Sequence, residues 1–141
     1  MQSRRSFASL LPTVLVLSAA APGCAAMDPP QDHTLEIRGV GQTVRDLSYE
    51  YGSVKRTRRE IGAGGGSSVT QPMPVPETLT VRWTTADGKV HDVTVPIRSR
   101  VPAEMRNRTI KVEVDGPRIE VFLETPEPGG GHRPTRSQIY P

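Results

Sequence analysis

The sequence predicts an all-β fold, a small antiparallel β-sandwich or barrel of six to seven short strands. Apolar and polar residues alternate in several short runs, and turn residues separate these runs at intervals of about 8–12 residues. Glycine contributes 13 and proline 14 of the 141 residues, and so many helix breakers exclude a helical bundle. Aromatic residues make up only 4% of the chain, which argues against the large core of an enzyme.

The clearest hairpin signal is a pair of alternating runs on either side of the turn at 86–88. In the first run Leu79, Val81 and Trp83 alternate with polar residues, and the second run has the same pattern. A three-residue loop with Gly88 in the left-handed conformation places Val81 opposite Val93, so that the two apolar faces coincide. A two-residue loop would mix the faces, and we therefore predict the three-residue loop.

A second hairpin is predicted from the alternating runs 110–114 and 119–123. Pro117 lies in the turn between them and has no backbone N–H, so we expect that it cannot close a tight two-residue loop. The sequence therefore predicts a four-residue loop that ends at Pro117 and places Val112 opposite Ile119.

Less regular signals complete the predicted elements. The segments 34–40 and 44–51 carry apolar residues at strand spacing and are predicted as two further strands. Helix is hard to find, and the best candidate is a single turn over residues 102–107, where Pro102 and Glu104 favour a helix start.

The N-terminal residues 1–23 are predicted to be a signal peptide that is absent from the mature protein. Two arginines near the start precede an apolar stretch of about 15 residues, shorter than the roughly 20 that a transmembrane helix needs. Small residues at 19–23 then lead into Cys24, which is the single cysteine of the chain. One cysteine excludes an internal disulfide and a zinc site built from cysteines.

This ending resembles the lipobox of bacterial lipoproteins, in which small residues precede a cysteine. The resemblance implies that cleavage occurs just before Cys24 and that its thiol carries a diacylglycerol, so that several acyl chains hold the protein at a membrane. Ala25 stands where an inner-membrane retention signal would often place aspartate, which favours the outer membrane, facing the periplasm. The alternative is an ordinary secretory signal with a chance cysteine near its end.

The mature chain is predicted to consist of one domain between two extensions. Residues 24–32 are a lipid-anchored tether, and residues 33–124 carry the β-sandwich. Residues 125–141 are rich in proline and glycine and are predicted to be a disordered tail, because they cannot bury enough apolar surface to order themselves.

Charge and motifs exclude several classes of function. The whole chain has a net charge of +3, and loss of the two signal-peptide arginines leaves 16 cations against 15 acids, or +1. A charge this small argues against a nucleic-acid binder. The three histidines are scattered and no hydrolase motif is present, so we expect no enzyme, no catalytic or metal-binding residues, no cofactor and no small-molecule substrate.

The glycine-rich run 62–66 is not predicted to bind phosphate. Phosphate loops lead directly into a helix, whose free N–H groups face the anion. Here a proline-containing segment follows the glycines, and the Walker lysine is missing. A flexible or tightly turned loop is the expected structure.

A cluster of positive charge lies immediately before these glycines. It could be a docking patch for an acidic partner or for lipid headgroups, or a solvated strand and turn balanced by Glu50 and Glu60. We take its four cations as candidate partner-binding residues within a loop over 55–66. They are Lys55, Arg56, Arg58 and Arg59.

The glycine run 62–66, followed by the proline-flanked segment 74–83 that ends in Val-Arg-Trp, resembles a group of small proteobacterial lipoproteins. Several of these are encoded beside antibacterial effectors of the type VI secretion system and act as periplasmic immunity proteins. The resemblance implies a lipoprotein that binds and neutralises an effector toxin encoded nearby. The alternative is a structural or accessory envelope lipoprotein that binds a resident secretion or outer-membrane complex.

Overall fold

The computed structural model of the protein describes residues 28–141. The signal peptide predicted at 1–23 and the lipidation site predicted at Cys24 lie outside these residues. The described part is all-β, with nine strands and one short 3₁₀ turn. This confirms the fold class, with two to three strands more than the sequence predicted.

The longest connections between strands are residues 97–108 and 126–134, and β1 begins within the segment predicted as tether. The 3₁₀ turn at Arg98–Arg100 lies between β6 and β7, a few residues before the position predicted for a helical turn. The strands are β1 Gln31–Gly39, β2 Val44–Tyr51, β3 Val54–Ile61, β4 Gly66–Met73, β5 Thr78–Thr84, β6 Val90–Pro96, β7 Thr109–Asp115, β8 Arg118–Thr125 and β9 Thr135–Tyr140.

The nine strands form two sheets that pack as a sandwich. One sheet has the order β4-β1-β7-β8-β9 and the other the order β3-β2-β5-β6. Within the described chain, β1 and β7 pair in parallel, and the other neighbouring strands pair antiparallel. The inner faces of both sheets contribute to one apolar core, as expected for sheets that are each polar on the outside.

The core includes the chain's single tryptophan. Trp83 on β5 is fully buried, and its indole Nε1 donates a hydrogen bond of 2.7 Å to the carbonyl oxygen of Gly116, in the turn between β7 and β8. This bond links the two sheets and satisfies two buried polar groups. The buried hydrophobic residues of the described segment run from Leu35 to Leu123 and form one cluster, so residues 28–141 have a continuous core of their own.

The first predicted hairpin is confirmed in its register and its turn. Val81 lies opposite Val93 and Leu79 opposite Val95. Gly88 has a φ of 83°, the left-handed conformation that the three-residue loop requires.

The second hairpin differs from the prediction by a two-residue shift in register. Val112 lies opposite Val121, and a two-residue turn of Gly116 and Pro117 connects the strands. Gly116 has a φ of 55°, as the first central residue of a type II′ turn does. The second central residue donates no hydrogen bond in such a turn, so the missing N–H of Pro117 costs nothing there. A shift of two leaves the same residues facing the core.

Strand β2 contains a bulge that explains an irregular spacing in its sequence. Its buried residues are Val44 and then Leu47, three positions later. Asp46 between them has a φ of 50°, and the register with β5 shifts at this point. The extra residue brings Leu47 back to the core side.

The prediction of a disordered C-terminal tail is wrong for residues Thr135–Tyr140, which form β9 along the edge of β8. Arg136 lies 2.8 Å from the Glu113 carboxylate, and its guanidinium stacks 3.5 Å above the ring of Phe122. Arg100 donates to the carbonyl oxygen of Ile139 at 2.6 Å. These contacts come from distant parts of the chain, so the tail's composition does not reveal them.

One glycine is required where the chain crosses from one sheet to the other. A Cβ atom on Gly39 would lie 2.6 Å from the carbonyl oxygen of Gly62. We expect Gly39→Ala to lower the free energy of unfolding by about 1–3 kcal/mol, because backbone must shift to relieve the contact. Urea unfolding of residues 28–141 measures this change.

The matched control is Gly62→Ala, whose Cβ would meet its nearest atom, Oγ1 of Thr43, at an ordinary 3.6 Å. This variant is expected to remain within about 0.5 kcal/mol of the parent protein. Equal unfolding midpoints for the two variants would contradict the steric argument.

Candidate protein-binding edge

The four candidate cations lie on β3, which is an edge strand of the four-stranded sheet. The sequence placed them in a loop over 55–66, and this is wrong, because residues 54–61 form a strand and the chain turns only between Ile61 and Gly66. Six consecutive residues, 55–60, are exposed on both faces of the strand. The lack of alternation explains why the sequence pattern did not predict β3.

The hairpin between β2 and β3 determines which backbone groups of β3 point outward. Tyr51 and Val54 flank a two-residue turn, and residues in that position exchange both of their hydrogen bonds across the pair. Counting along the ladder, Arg56 and Arg58 turn their N–H and C=O groups to β2. The backbone groups of residues 55 and 57 therefore face outward from the sheet, and the count stops at Arg59, whose opposite residue Asp46 is the bulge of β2.

One side-chain contact agrees with this assignment. The carbonyl oxygen of Lys55 accepts a hydrogen bond of 3.3 Å from the guanidinium of Arg56. A carbonyl that is already bonded to β2 would have less room to accept this bond. Both side chains are exposed, so this bond can open at little cost.

The cations of β3 lie on both faces of the strand. Arg56 and Arg58 stand opposite Tyr49 and Leu47, which are buried, so both arginines belong to the inward-facing side of the sheet and reach solvent past its edge. Lys55 lies on the outer side, where its Nζ is 3.0 Å from the Glu50 carboxylate. Within residues 28–141, the other three cations form no ion pair.

The core is closed behind β3 without help from these side chains. The hydroxyl groups of Tyr49 on β2 and Ser67 on β4 are 2.9 Å apart and buried, so each satisfies the other between the two sheets. Residues 55–60 therefore serve neither core packing nor buried hydrogen bonding. Their side chains are available for contacts outside the domain.

A shallow groove runs along the outer face of the sheet beside β3. It has a volume of about 370 Å³ and is open to solvent. Two ion pairs border it, Lys55 with Glu50 and Arg82 with Asp92 at 3.7 Å. Polar and charged residues line this open groove, in contrast to the enclosed pockets that bind small molecules.

Arg98 fixes the chain at the end of the sandwich where β1 begins. Its guanidinium contacts the Asp28 carboxylate and the carbonyl oxygen of Val75. Its Nε also lies 2.7 Å from a Glu77 carboxylate oxygen, at an angle that makes an ion pair but no hydrogen bond. The sequence offered no signal for this clamp, because its members are far apart along the chain.

The same end contains a buried polar pair that the sequence did not predict. His33 is 1% exposed, and its Nδ1 lies 2.8 Å from the carbonyl oxygen of Gln31. Because a carbonyl only accepts, Nδ1 carries the proton, and Nε2 accepts from the Tyr51 hydroxyl at 2.9 Å. Burial lowers the pKa of His33, against smaller opposing effects of the Gln31 carbonyl and the Asp32 carboxylate. Burial also raises the pKa of Tyr51, partly opposed by Arg98.

Metal binding and membrane crossing have no structural signal in this part of the protein. Among residues 28–141, no three histidine, cysteine, aspartate or glutamate side chains are grouped so that they could hold a metal ion. No helix of the same segment is long and apolar enough to cross a bilayer. The chain matches no protein-family model, no curated protein and no solved structure.

We expect the stability of the domain to fall as the pH drops below 6.5, the ordinary pKa of histidine. Below that pH the unfolded state binds a proton at His33, whereas burial keeps His33 unprotonated in the folded state. The free energy of unfolding therefore decreases with falling pH until the pKa of folded His33 is reached. His33→Gln should reduce the difference in stability between pH 7.5 and pH 5, measured by urea unfolding.

At pH 7.5 the same variant should lose about 1–3 kcal/mol of stability, because it disturbs a buried hydrogen-bonded pair. The exposed His132 provides the control variant, His132→Gln, which should unfold as the parent protein does at both pH values. An unchanged pH dependence in His33→Gln would assign the effect to other groups.

Proposed function

We propose that this protein is a lipoprotein of the cell envelope, anchored at Cys24 in the outer membrane and facing the periplasm, that binds and neutralises an effector toxin of the type VI secretion system. The observation that carries the proposal is the exposed cationic edge of β3. A toxin with an acidic surface would be the partner that this edge binds.

The position of the charge supports a binding role. Four cations lie within five consecutive positions on a strand whose residues 55–60 take no part in the core. Clustered charge of one sign accelerates the encounter with a partner of opposite charge and disfavours partners of like charge. An inhibitor that must capture a toxin before it reaches its target benefits from both effects.

Neutralisation by binding requires no catalytic group, no cofactor and no small-molecule substrate. It requires a rigid scaffold that presents a shaped polar surface, and a two-sheet sandwich with one continuous core supplies such a scaffold. We therefore propose a role without enzymatic turnover.

The clamp at Arg98 supports a defined placement at the membrane. Asp28 contacts Arg98, and four residue steps separate Asp28 from Cys24, a span of at most about 14 Å. An anchor at Cys24 would hold this end of the sandwich close to the lipid surface. Strand β3 begins at the same end, after the turn that follows Tyr51, and leads away from it into the periplasm.

The proposal is tested by calorimetry of residues 28–141 with the protein products of the neighbouring genes. Nanomolar affinity for one product that is toxic in the periplasm, together with protection when the full chain is co-produced, is the expected result. Binding only to a resident secretion or outer-membrane component would instead assign the protein a structural role. Binding to no neighbour would reject immunity.

We expect the combined change of Arg56, Arg58 and Arg59 to alanine to weaken binding of the partner by at least about tenfold, since attraction to its acidic groups is lost. Calorimetry at two salt concentrations measures this, and the salt dependence should decrease in the variant.

The control removes three exposed cations from other parts of the surface, Lys89, Arg106 and Arg133. It changes the net charge by the same amount, and it should bind within about twofold of the parent protein. Equal losses in both triple variants would show that net charge matters and that β3 does not.

Lipidation is expected to depend on Cys24 alone. Cys24→Ser in the full chain should abolish incorporation of labelled palmitate and move the protein out of the membrane fraction, because no thiol remains to carry the diacylglycerol. Ser53→Ala serves as the control for an ordinary surface change. Palmitate labelling that persists in Cys24→Ser would reject the anchor.

A further inference from the structure

We propose that the partner binds by strand addition, with an extended acidic segment pairing its backbone along the free edge of β3. This deepens the proposed function and rests on its assignment of β3 as the binding edge. The partner segment would extend the four-stranded sheet to five strands. Its backbone would bond to the outward N–H and C=O groups of Lys55 and Thr57.

Among the four edge strands of the sandwich, β3 is the best suited to accept another strand. Strand β4 contains Pro72, β6 ends in Pro96, and β9 lies between Pro134 and Pro141. Proline removes a donor from a ladder and blunts an edge against pairing. Strand β3 has eight residues with neither proline nor glycine, so every residue along its edge retains a backbone donor.

The outward groups have the spacing of an ordinary ladder. Residues 55 and 57 are two positions apart, and each presents one donor and one acceptor to a strand about 4.8 Å away. The register with β2 is unbroken from Leu47–Arg58 to Tyr51–Val54, and the bulge of β2 at Asp46 lies beyond this stretch, opposite Arg59. Only the exposed Arg56 guanidinium, bonded to the Lys55 carbonyl, would have to move aside.

The charges on β3 select the chemistry of the added strand. A second copy of β3 would bring arginine against arginine, and like charges on opposite strands repel. An acidic strand would find cations on both of its faces, Lys55 on the outer side and Arg56 and Arg58 on the other, with the exposed Arg59 next along the strand. The same residues that prevent self-association therefore favour a partner strand rich in aspartate or glutamate.

Amide hydrogen exchange of labelled residues 28–141, followed by NMR, tests the geometry. The probe is a nine-residue peptide of alternating glutamate and threonine, compared with the same peptide carrying lysine for glutamate. With the glutamate peptide in excess, exchange at Lys55 and Thr57 should slow by at least about tenfold. The amides of Arg56 and Arg58, already bonded to β2, should exchange at the same rate with and without peptide.

A proline variant separates backbone pairing from charge. Thr57→Pro removes one outward N–H and leaves all four cations in place, and an edge strand tolerates proline where the N–H faces solvent. It should weaken binding of the glutamate peptide by at least about tenfold, whereas Thr57→Val should leave the affinity unchanged. If Thr57→Pro unfolds, a glutamate peptide that is N-methylated at every second residue makes the same test with the unaltered protein, because the methyl groups remove the donors of the peptide.

The outcomes distinguish this inference from the proposed function. Binding of the glutamate peptide with no alternating protection, together with unchanged affinity of Thr57→Pro or of the N-methylated peptide, would reject strand addition and leave a charge-based contact. Equal binding of glutamate and lysine peptides, or of neither, would reject an acidic partner and with it the role of β3 in the proposed function. Binding to vesicles of one-third phosphatidylglycerol but to neither peptide would reject both in favour of a lipid surface.

Discussion

The burial of one apolar face of each sheet against the other is the interaction on which the rest of the structure depends. It places Trp83, Tyr49 and His33 where water cannot reach them, and each of these side chains finds its hydrogen-bond partner within the domain. A buried polar group without a partner would cost several times what its hydrogen bond contributes. The alignment of the two sheets is therefore held by a few polar contacts as well as by apolar packing.

The two sheets of a sandwich each keep two edge strands without a neighbour on one side. The candidate site lies on one of these edge strands, β3. Each edge strand exposes backbone donors and acceptors that pair readily with any extended chain. In this protein, proline lies within or directly beside three of the four edge strands, and positive charge lies along β3. Charge differs from proline in one respect, since it repels a second copy of the chain and still admits a strand of opposite sign.

The contacts of Arg98 hold the start of the described chain against the domain. Its guanidinium joins Asp28, at the start of the described chain, to the carbonyl oxygen of Val75 between β4 and β5. Because Asp28 is held against the sandwich, the direction in which the chain enters is part of the fold. An anchor a few residues away would then orient the whole domain, and β3 with it, relative to the membrane.

The amino-acid sequence by itself determined which residues face the core in the regular strands, because alternation with a period of two is local. It also determined the loop at Gly88, where one register alone makes the apolar faces of β5 and β6 coincide. The sequence did not reveal the two-residue register shift at the turn with Pro117, because both registers of β7 and β8 keep the same residues facing the core. Only the tertiary structure decided that residues 55–59 form an edge strand and that residues 135–140 form a ninth strand. In both segments the backbone forms its hydrogen bonds with a neighbouring strand. The side chains of each segment lack the alternating pattern from which a strand could be predicted.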